Sequence, residues 1–229
     1  TSRTGTTLRR SCMPVRPGGL LLVGVFAWHP CVIAQTPREV ASRTIPSVVV
    51  ILTADSLGQP LSQGSGFMVG NGLVATNYHV VRGSTRATAK RLGTERPLPV
   101  TDFVAVDTSA DLILLRVPRM PGPGLRLGTD ASVAVGDAVF AVGNPVGLEG
   151  TFSQGIVSSV REESGRRLLQ VTAPLSSGSS GGPILNMAGE VVGVAVAAAR
   201  EGQNLNFAVP VSRLSALLRQ DRSARPLSA

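Results

Sequence analysis

Apolar and polar positions are arranged along the chain in short runs rather than long periodic blocks. Ser47–Leu52, Gly64–Val69, Leu73–Thr76, Pro99–Val106 and Leu112–Val117 are compact apolar stretches bounded by Gly, Pro, Asn and Asp. Runs of that length and punctuation read as strands. Asn71-Gly72 is a hairpin signal that returns the second run as the third, and Asn77–Val81 is expected to end that third strand. A second series follows at Ala138–Val142, Thr151–Val160, Leu168–Thr172, Glu190–Ala198 and Asn206–Val209. Between the two series lies PRMPGPG, residues 118–124, which contains no strand-forming stretch. A closing helix is expected at Arg213–Arg219, capped by Ser212, because Leu214, Leu217 and Leu218 sit at helical spacing. Two β-rich halves joined by a Pro/Gly seam predict an all-β protein of paired barrels.

Composition changes this picture mainly at the N-terminus. Within residues 1–34, Arg3, Arg9, Arg10 and Arg16 occur with no acid and precede the apolar stretch Gly19–Trp28. A turn at His29-Pro30 and the small-residue run-up Val32-Ile33-Ala34 complete the layout of a signal peptide cleaved after Ala34, with Met13 as an alternative start. The rival is an uncleaved anchor, which would place the protein at a membrane. Pro17, Pro30 and Pro37 interrupt that span, and its strongly apolar part is shorter than the ~20 residues of a membrane-crossing helix. Both cysteines, Cys12 and Cys31, lie in the leader, so the mature chain is expected to hold no disulfide and no Cys-based metal site. An exported, cysteine-free chain fits a bacterial periplasm or cell exterior. Residues 35–46 are expected to form a polar arm and 221–229 a flexible tail.

The leader accounts for four of the eight net positive charges. The densest remaining patch, Arg82, Arg86, Lys90, Arg91 and Arg96, has no interleaved aromatics and reads as a solvated loop or strand face. Nucleic acid is therefore not an expected partner. No metal cluster is present, and the glycines around 64–67 lack the lysine and helix of a phosphate-binding loop, so no cofactor is expected.

The candidate chemistry centres on Gly178-Ser179-Ser180-Gly181-Gly182-Pro183. Taken alone this is an ordinary Ser/Gly turn. A serine nucleophile needs an adjacent base and donors aimed at the developing oxyanion. Glycines permit both unusual dihedrals and close approach, so the N–H groups of Gly178 and Ser180 are candidates to converge on one point. Beyond the leader, His79 is the only histidine, and hence the only imidazole available as general base. Asp111 opens the apolar run 112–117, where a carboxylate without partners would be expensive. It is the candidate to orient His79, with Asp107 and Asp102 as alternatives in more polar surroundings.

Four segments resemble the HtrA/Deg family of serine endopeptidases: GSGFMVGNGLVATNYHVV (64–81), SADLILLRV (109–117), AVFAVGNPVGLEGTFSQGIVSSV (138–160) and SGSSGGPILNMAGEVVGV (177–194). The order His, Asp, Ser matches the chymotrypsin type. The resemblance covers residues 45–218. It implies two packed six-stranded antiparallel barrels of trypsin-like fold, about 47–118 and 125–210, with a closing helix at 212–219 and the whole domain at 47–220. It also implies His79 as base, Asp111 as orienting carboxylate, Ser180 as nucleophile, and an oxyanion hole from the N–H groups of Gly178, Ser179 and Ser180. Gly143-Asn144-Pro145 would be a loop shaping the second barrel near the site.

By the same resemblance, Pro174, Leu175, Ala197 and Ala198 bound the P1 pocket, with Asn206 at its base. None is acidic, so a small or medium aliphatic P1 residue is expected rather than Lys or Arg. The expected substrates are unfolded or misfolded polypeptides. The alternative is a non-catalytic, chaperone-like polypeptide binder of the same fold. The chain departs from the family in having Ser179 where Asn is usual, a short 53–63 connection and no PDZ domain before its last residue, Ala229. Its arm also lacks the aromatic residues that help relatives form homotrimers.

Overall fold

The computed structural model describes residues 35–144, 150–163, 165–196, 206–220 and 223–227. The expected leader, Pro145, Ala197 and Ala198 lie outside the described residues. The N-terminal half is an antiparallel sheet of β1 (Val48–Ala54), β2 (Pro60–Gly70), β3 (Leu73–Asn77), β4 (Arg86–Arg91), β5 (Leu98–Pro99), β6 (Asp102–Asp107) and β7 (Leu112–Arg116). Its order is β5-β4-β1-β2-β3-β7-β6. The C-terminal half comprises β8 (Ala138–Gly143), β9 (Thr151–Glu163), β10 (Arg166–Val171), β11 (Pro183–Leu185), β12 (Val191–Val196) and β13 (Asn206–Pro210). These six close into a barrel in the order β10-β13-β12-β11-β8-β9. The N-terminal half is thus a curled half-barrel of seven strands, while the second half closes with six as expected.

The apolar runs lack strict alternation because both faces of these strands are buried. Val48 and Val50 on β1, Ala75 on β3 and Leu112 and Leu114 on β7 face a cluster that also takes Phe140, Val142, Leu185, Val194 and Leu214 from the second half. The intervening Val49, Ile51, Val74, Ile113 and Leu115 point into the concave side of the first sheet. Likewise Val139 and Ala141 on β8 face the interior of the barrel. Period-two side-chain geometry therefore divides each run between two cores. The cluster shared by the halves holds them together, which matters because the candidate site draws on both.

Four local expectations change. The arm contains α1 (Pro37–Thr44) rather than only polar coil. Thr36 Oγ1 accepts from Glu39 N (3.3 Å), and Glu39 Oε2 accepts from Thr36 N (2.8 Å), with Pro37 at the first helical position. That reciprocal capping box satisfies two free donors and starts the helix. The segment after β3 is not strand but the helical turn α2 (Tyr78–Val81). The closing helix α3 runs Val211–Leu217, so Ser212 lies inside it and does not cap it; its N–H donates to Oδ1 of buried Asp130 (2.7 Å). The tail is pinned at residue 225: Phe103 and Arg225 exchange two backbone hydrogen bonds (2.9 and 2.8 Å), and the guanidinium lies 4.7 Å from the Phe103 ring centroid. A free sheet edge and a cation–π contact together explain that anchorage.

Candidate active site

His79 is positioned by the change from strand to helical turn. Every residue of β3 is buried up to Asn77, whose extended backbone (φ −76°, ψ 145°) turns the chain into α2. Val80 and Val81 go into the core, leaving the His79 side chain 38% exposed. Asp111 comes to meet it from the turn between β6 and β7, with φ +54°. That left-handed conformation is uncommon outside glycine, although Asp tolerates it better than most residues. It aims three acceptor atoms at one short segment. The Asp111 carbonyl accepts from Tyr78 N (3.1 Å) and Asn77 Nδ2 (2.9 Å). Its Oδ1 accepts from His79 N (2.8 Å), and its Oδ2 lies 2.6 Å from His79 Nδ1. A carboxylate can only accept at that position, so Nδ1 carries a proton, and in the neutral ring Nε2 presents its lone pair.

The two alternative carboxylates have other positions. Asp107 accepts from Ser109 Oγ (2.6 Å), Ala110 N (3.0 Å) and Arg213 Nη2 (2.8 Å), which braces the turn carrying Asp111. Burial pushes its carboxyl up. The hydrogen bonds from Ser109 and Ala110 and the nearby Arg213 charge outweigh this and hold it below the usual carboxylate range. Asp102 opens β6 opposite Arg116, at the far end of that strand from the turn.

Ser180 comes from the other half. It is 6% exposed, and its carbonyl accepts from Ser65 N on β2 (2.8 Å). The next residue, Gly181, has φ +84°, and a Cβ there would lie 2.2 Å from both Ser65 O and Thr76 Oγ1 and 3.0 Å from Asn77 N. Only glycine lets the serine loop press this closely against the strand that leads to His79. Among the described residues, Ser180 Oγ makes no hydrogen bond, to His79 or otherwise.

The three proposed oxyanion donors are not equivalent. Ser179 N donates to Ser176 O (2.9 Å), so that N–H is engaged within the turn. Gly178 N and Ser180 N, on either side of it, have no partner among the described residues, and Gly178 adopts φ +95°.

Of the pocket candidates, Pro174 is exposed and Leu175 half-buried. Asn206 is 5% exposed and donates through Nδ2 to Ala173 O (2.9 Å), anchoring the segment that leads to Ser180. A cleft of about 870 Å³ is lined by Asp111 together with Ser109, Val196, Phe207 and Arg213. Neither His79 nor Ser180 lines it. Sequence reasoning missed Ser65 and Asn77 as parts of the site. The GSG triplet at 64–66 was the visible signal for Ser65; Asn77 had none beyond its place two residues before His79.

The profile of the trypsin-like peptidase domain matches residues 64–194, a span that contains His79, Asp111 and Ser180. The chain is 36% identical over 203 residues to the mitochondrial serine protease HTRA2 of Bos taurus, covering 79% of this chain and 42% of that protein. The chain belongs to the trypsin-like peptidases as an HtrA-type protease domain. This HtrA-type domain is also 35% identical over 179 residues to the anti-sigma-I factor RsgI9 of Acetivibrio thermocellus, covering 75% of this chain and 25% of that protein. A solved structure of the HtrA-type protease AlgW with a tripeptide superposes with a TM-score of 0.73 at 26% identity, over 80% of this chain and 62% of that one. The chain thus spans about two fifths of the HTRA2 relative and a quarter of RsgI9. Among the described residues of the HtrA-type domain, no helix is long and apolar enough to cross a membrane.

Proposed function

We propose that this HtrA-type domain is a serine endopeptidase acting on unfolded or misfolded polypeptides. Ser180 Oγ attacks the scissile carbonyl while His79 Nε2 takes its proton, and the carbonyl oxygen becomes an oxyanion held by Gly178 N and Ser180 N. His79 then returns the proton to the leaving amine, and water hydrolyses the acyl-enzyme by the same route in reverse order. Asp111 keeps the proton on Nδ1 and stabilises the imidazolium. The observation that carries the reading is the engagement of both Asp111 carboxylate oxygens by His79, one through its main-chain N–H and one through its ring. A merely structural aspartate would need only the first. Because none of Pro174, Leu175 and Asn206 is acidic, a small or medium aliphatic P1 residue is favoured.

Labelling by a fluorophosphonate probe tests the proposal, comparing wild type with Ser180→Ala, with and without an unfolded protein. Wild-type labelling that Ser180→Ala abolishes is expected, and peptide-library cleavage by the labelled form then reads P1. Labelling only with unfolded protein present would indicate an oxyanion hole completed on substrate binding. Absence of labelling in both conditions refutes the enzyme and favours the polypeptide-binding alternative. Cleavage strictly after Arg would refute the P1 assignment.

A further inference from the structure

Ser65, in the GSG triplet of β2, is 0% exposed and uses all of its polar atoms. Its N–H donates to Ser180 O (2.8 Å), and its carbonyl accepts from Thr76 Oγ1 (2.7 Å). Its hydroxyl donates to Gly178 O (2.6 Å) and accepts from Asn144 N (3.0 Å). The peptide between Gly178 and Ser179 is thereby held at both ends: its carbonyl by Ser65 Oγ and its N–H by Ser176 O. The two peptides flanking it carry the N–H groups of Gly178 and Ser180, the pair left without partners among the described residues.

We propose that the Ser65 hydroxyl is the positioning residue of the oxyanion hole. It fixes the Gly178–Ser179 peptide plane, and so turns the N–H groups on either side toward one point. The proposal rests on the reading of Ser180 as nucleophile. Glycine gives the 178 position little torsional resistance of its own, so a partner for its carbonyl decides which way the peptide faces. The surroundings leave the hydroxyl no alternative role as a surface donor. A Cβ on Gly64 would lie 2.7 Å from Val80 Cγ atoms and 3.3 Å from Ser180 O, and one on Gly66 would lie 2.9 Å from Ala75 O. Gly64 therefore lets β2 approach closely enough for the Ser65 side chain to reach the serine loop, while Gly66 lets β2 pack tightly against β1 and β3. Through Asn144 N the same hydroxyl also ties in the end of β8, where a Cβ on Gly143 would meet Ser179 Cα at 3.1 Å.

The test compares wild type, Ser65→Ala and Ser65→Cys. The second variant keeps the shape of the side chain with a somewhat larger γ atom and replaces a strong donor with a weak one. Three quantities are measured: the fluorophosphonate labelling rate, the kcat and KM for a peptide substrate, and the affinity for a peptide boronate that mimics the tetrahedral intermediate. Removing a direct oxyanion donor costs about 10²–10³-fold in kcat, so loosening two donors should lower kcat and labelling rate by roughly 10–100-fold. KM is expected to stay within about twofold, and boronate affinity to fall with kcat, because only the transition state uses the hole. Thermal unfolding separates this from loss of fold. If both variants are folded and label as fast as wild type, the Ser65 proposal is overturned while Ser180 as nucleophile survives. If wild type itself does not label, the underlying reading has failed instead. A uniform loss matched by the unfolded fraction, with kcat per folded molecule unchanged, also overturns the proposal, since it would make Ser65 purely structural.

Discussion

Replacing Asp111 with asparagine tests the proposed mechanism most directly, because shape is kept and only the donor–acceptor pattern changes. In the native arrangement one carboxylate oxygen faces His79 N at 2.8 Å and the other faces Nδ1 at 2.6 Å. The substituted amide has one oxygen and one NH₂ to place in these positions. If the oxygen keeps the main-chain N–H, the NH₂ faces Nδ1, and the ring must move its proton to Nε2 to accept that bond. Nε2 then has no lone pair for the Ser180 proton. If the amide flips, the NH₂ confronts the His79 main-chain N–H, and two donors oppose each other. The first arrangement is favoured, and it presents the wrong tautomer. The same substitution in a chymotrypsin-type triad lowers kcat about 10⁴-fold. That corresponds to about 5.5 kcal/mol of transition-state stabilisation.

The stability cost is expected to be far smaller, on the order of 1–2 kcal/mol, because a hydrogen bond to a charged acceptor is weakened while the Asp111 carbonyl keeps both its donors. The assay is kcat/KM on a peptide substrate across pH, alongside denaturant unfolding of both proteins. A variant that stays folded and loses about three to four orders of magnitude fits the tautomer argument. Retention of more than about a tenth of wild-type kcat/KM with an unchanged pH profile would refute it.

Two further outcomes follow from neighbouring contacts. Asp107→Asn is expected to cost about 1–2 kcal/mol at neutral pH, since Asp107 accepts from Ser109, Ala110 and a half-exposed Arg213. The native carboxyl sits below its usual range, so its contribution is present above the unfolded-state carboxylate range and is lost as pH falls through the folded-state value. The stability gap between variant and wild type, read by urea unfolding, should therefore shrink toward zero in acid; a gap constant with pH would contradict the ionic account. Gly181→Ala combines a disfavoured φ of +84° with a Cβ 2.2 Å from Ser65 O, and a loss of about 4 kcal/mol or more is expected. A thermal midpoint within about 3 °C of wild type would show that the loop relaxes freely.

The parts of this protein legible in its sequence are those governed by local patterns. Continuous apolar runs such as Leu112–Val117 identify strands buried on both faces, and Asn71-Gly72 marks its hairpin; both residues take positive φ, 54° and 67°. The capping box at Thr36 and Glu39 was also readable, but α1 buries little more than Val40 and Thr44, so hydrophobic periodicity gave no support for it. His79 stood out because the described chain offers no other imidazole. Asp111 stood apart from Asp107 by its place immediately before the apolar run 112–117; what sequence does not carry is the left-handed backbone at Asp111, which aims its carboxylate at His79. Ser179 was grouped with its neighbours because sequence does not reveal which N–H a turn consumes. Ser65 was visible as part of GSG, yet its role depends on a carbonyl 113 residues away.

That long reach explains why the site is built across an interface rather than within one motif. His79 and Asp111 belong to the first sheet, whereas Ser180 and its flanking donors belong to the second half. The shared apolar cluster supplies a non-directional attraction between the halves, which can bring them together but cannot set a hydrogen-bond angle. Directional bonds are needed for that, and they sit at the two ends of the constellation. At the serine end, Ser65 joins β2 to the Gly178–Ser180 loop and the end of β8. At the aspartate end, Asp107 on β6 holds Arg213 of α3, while Asp130 holds both Ser212 N and Arg167 of β10. The turn bearing Asp111 is thus referenced to the barrel through α3, and the loop bearing Ser180 to the sheet through β2. Each half carries hydrogen bonds to the other at its own end of the constellation, so a rotation between the halves must break them.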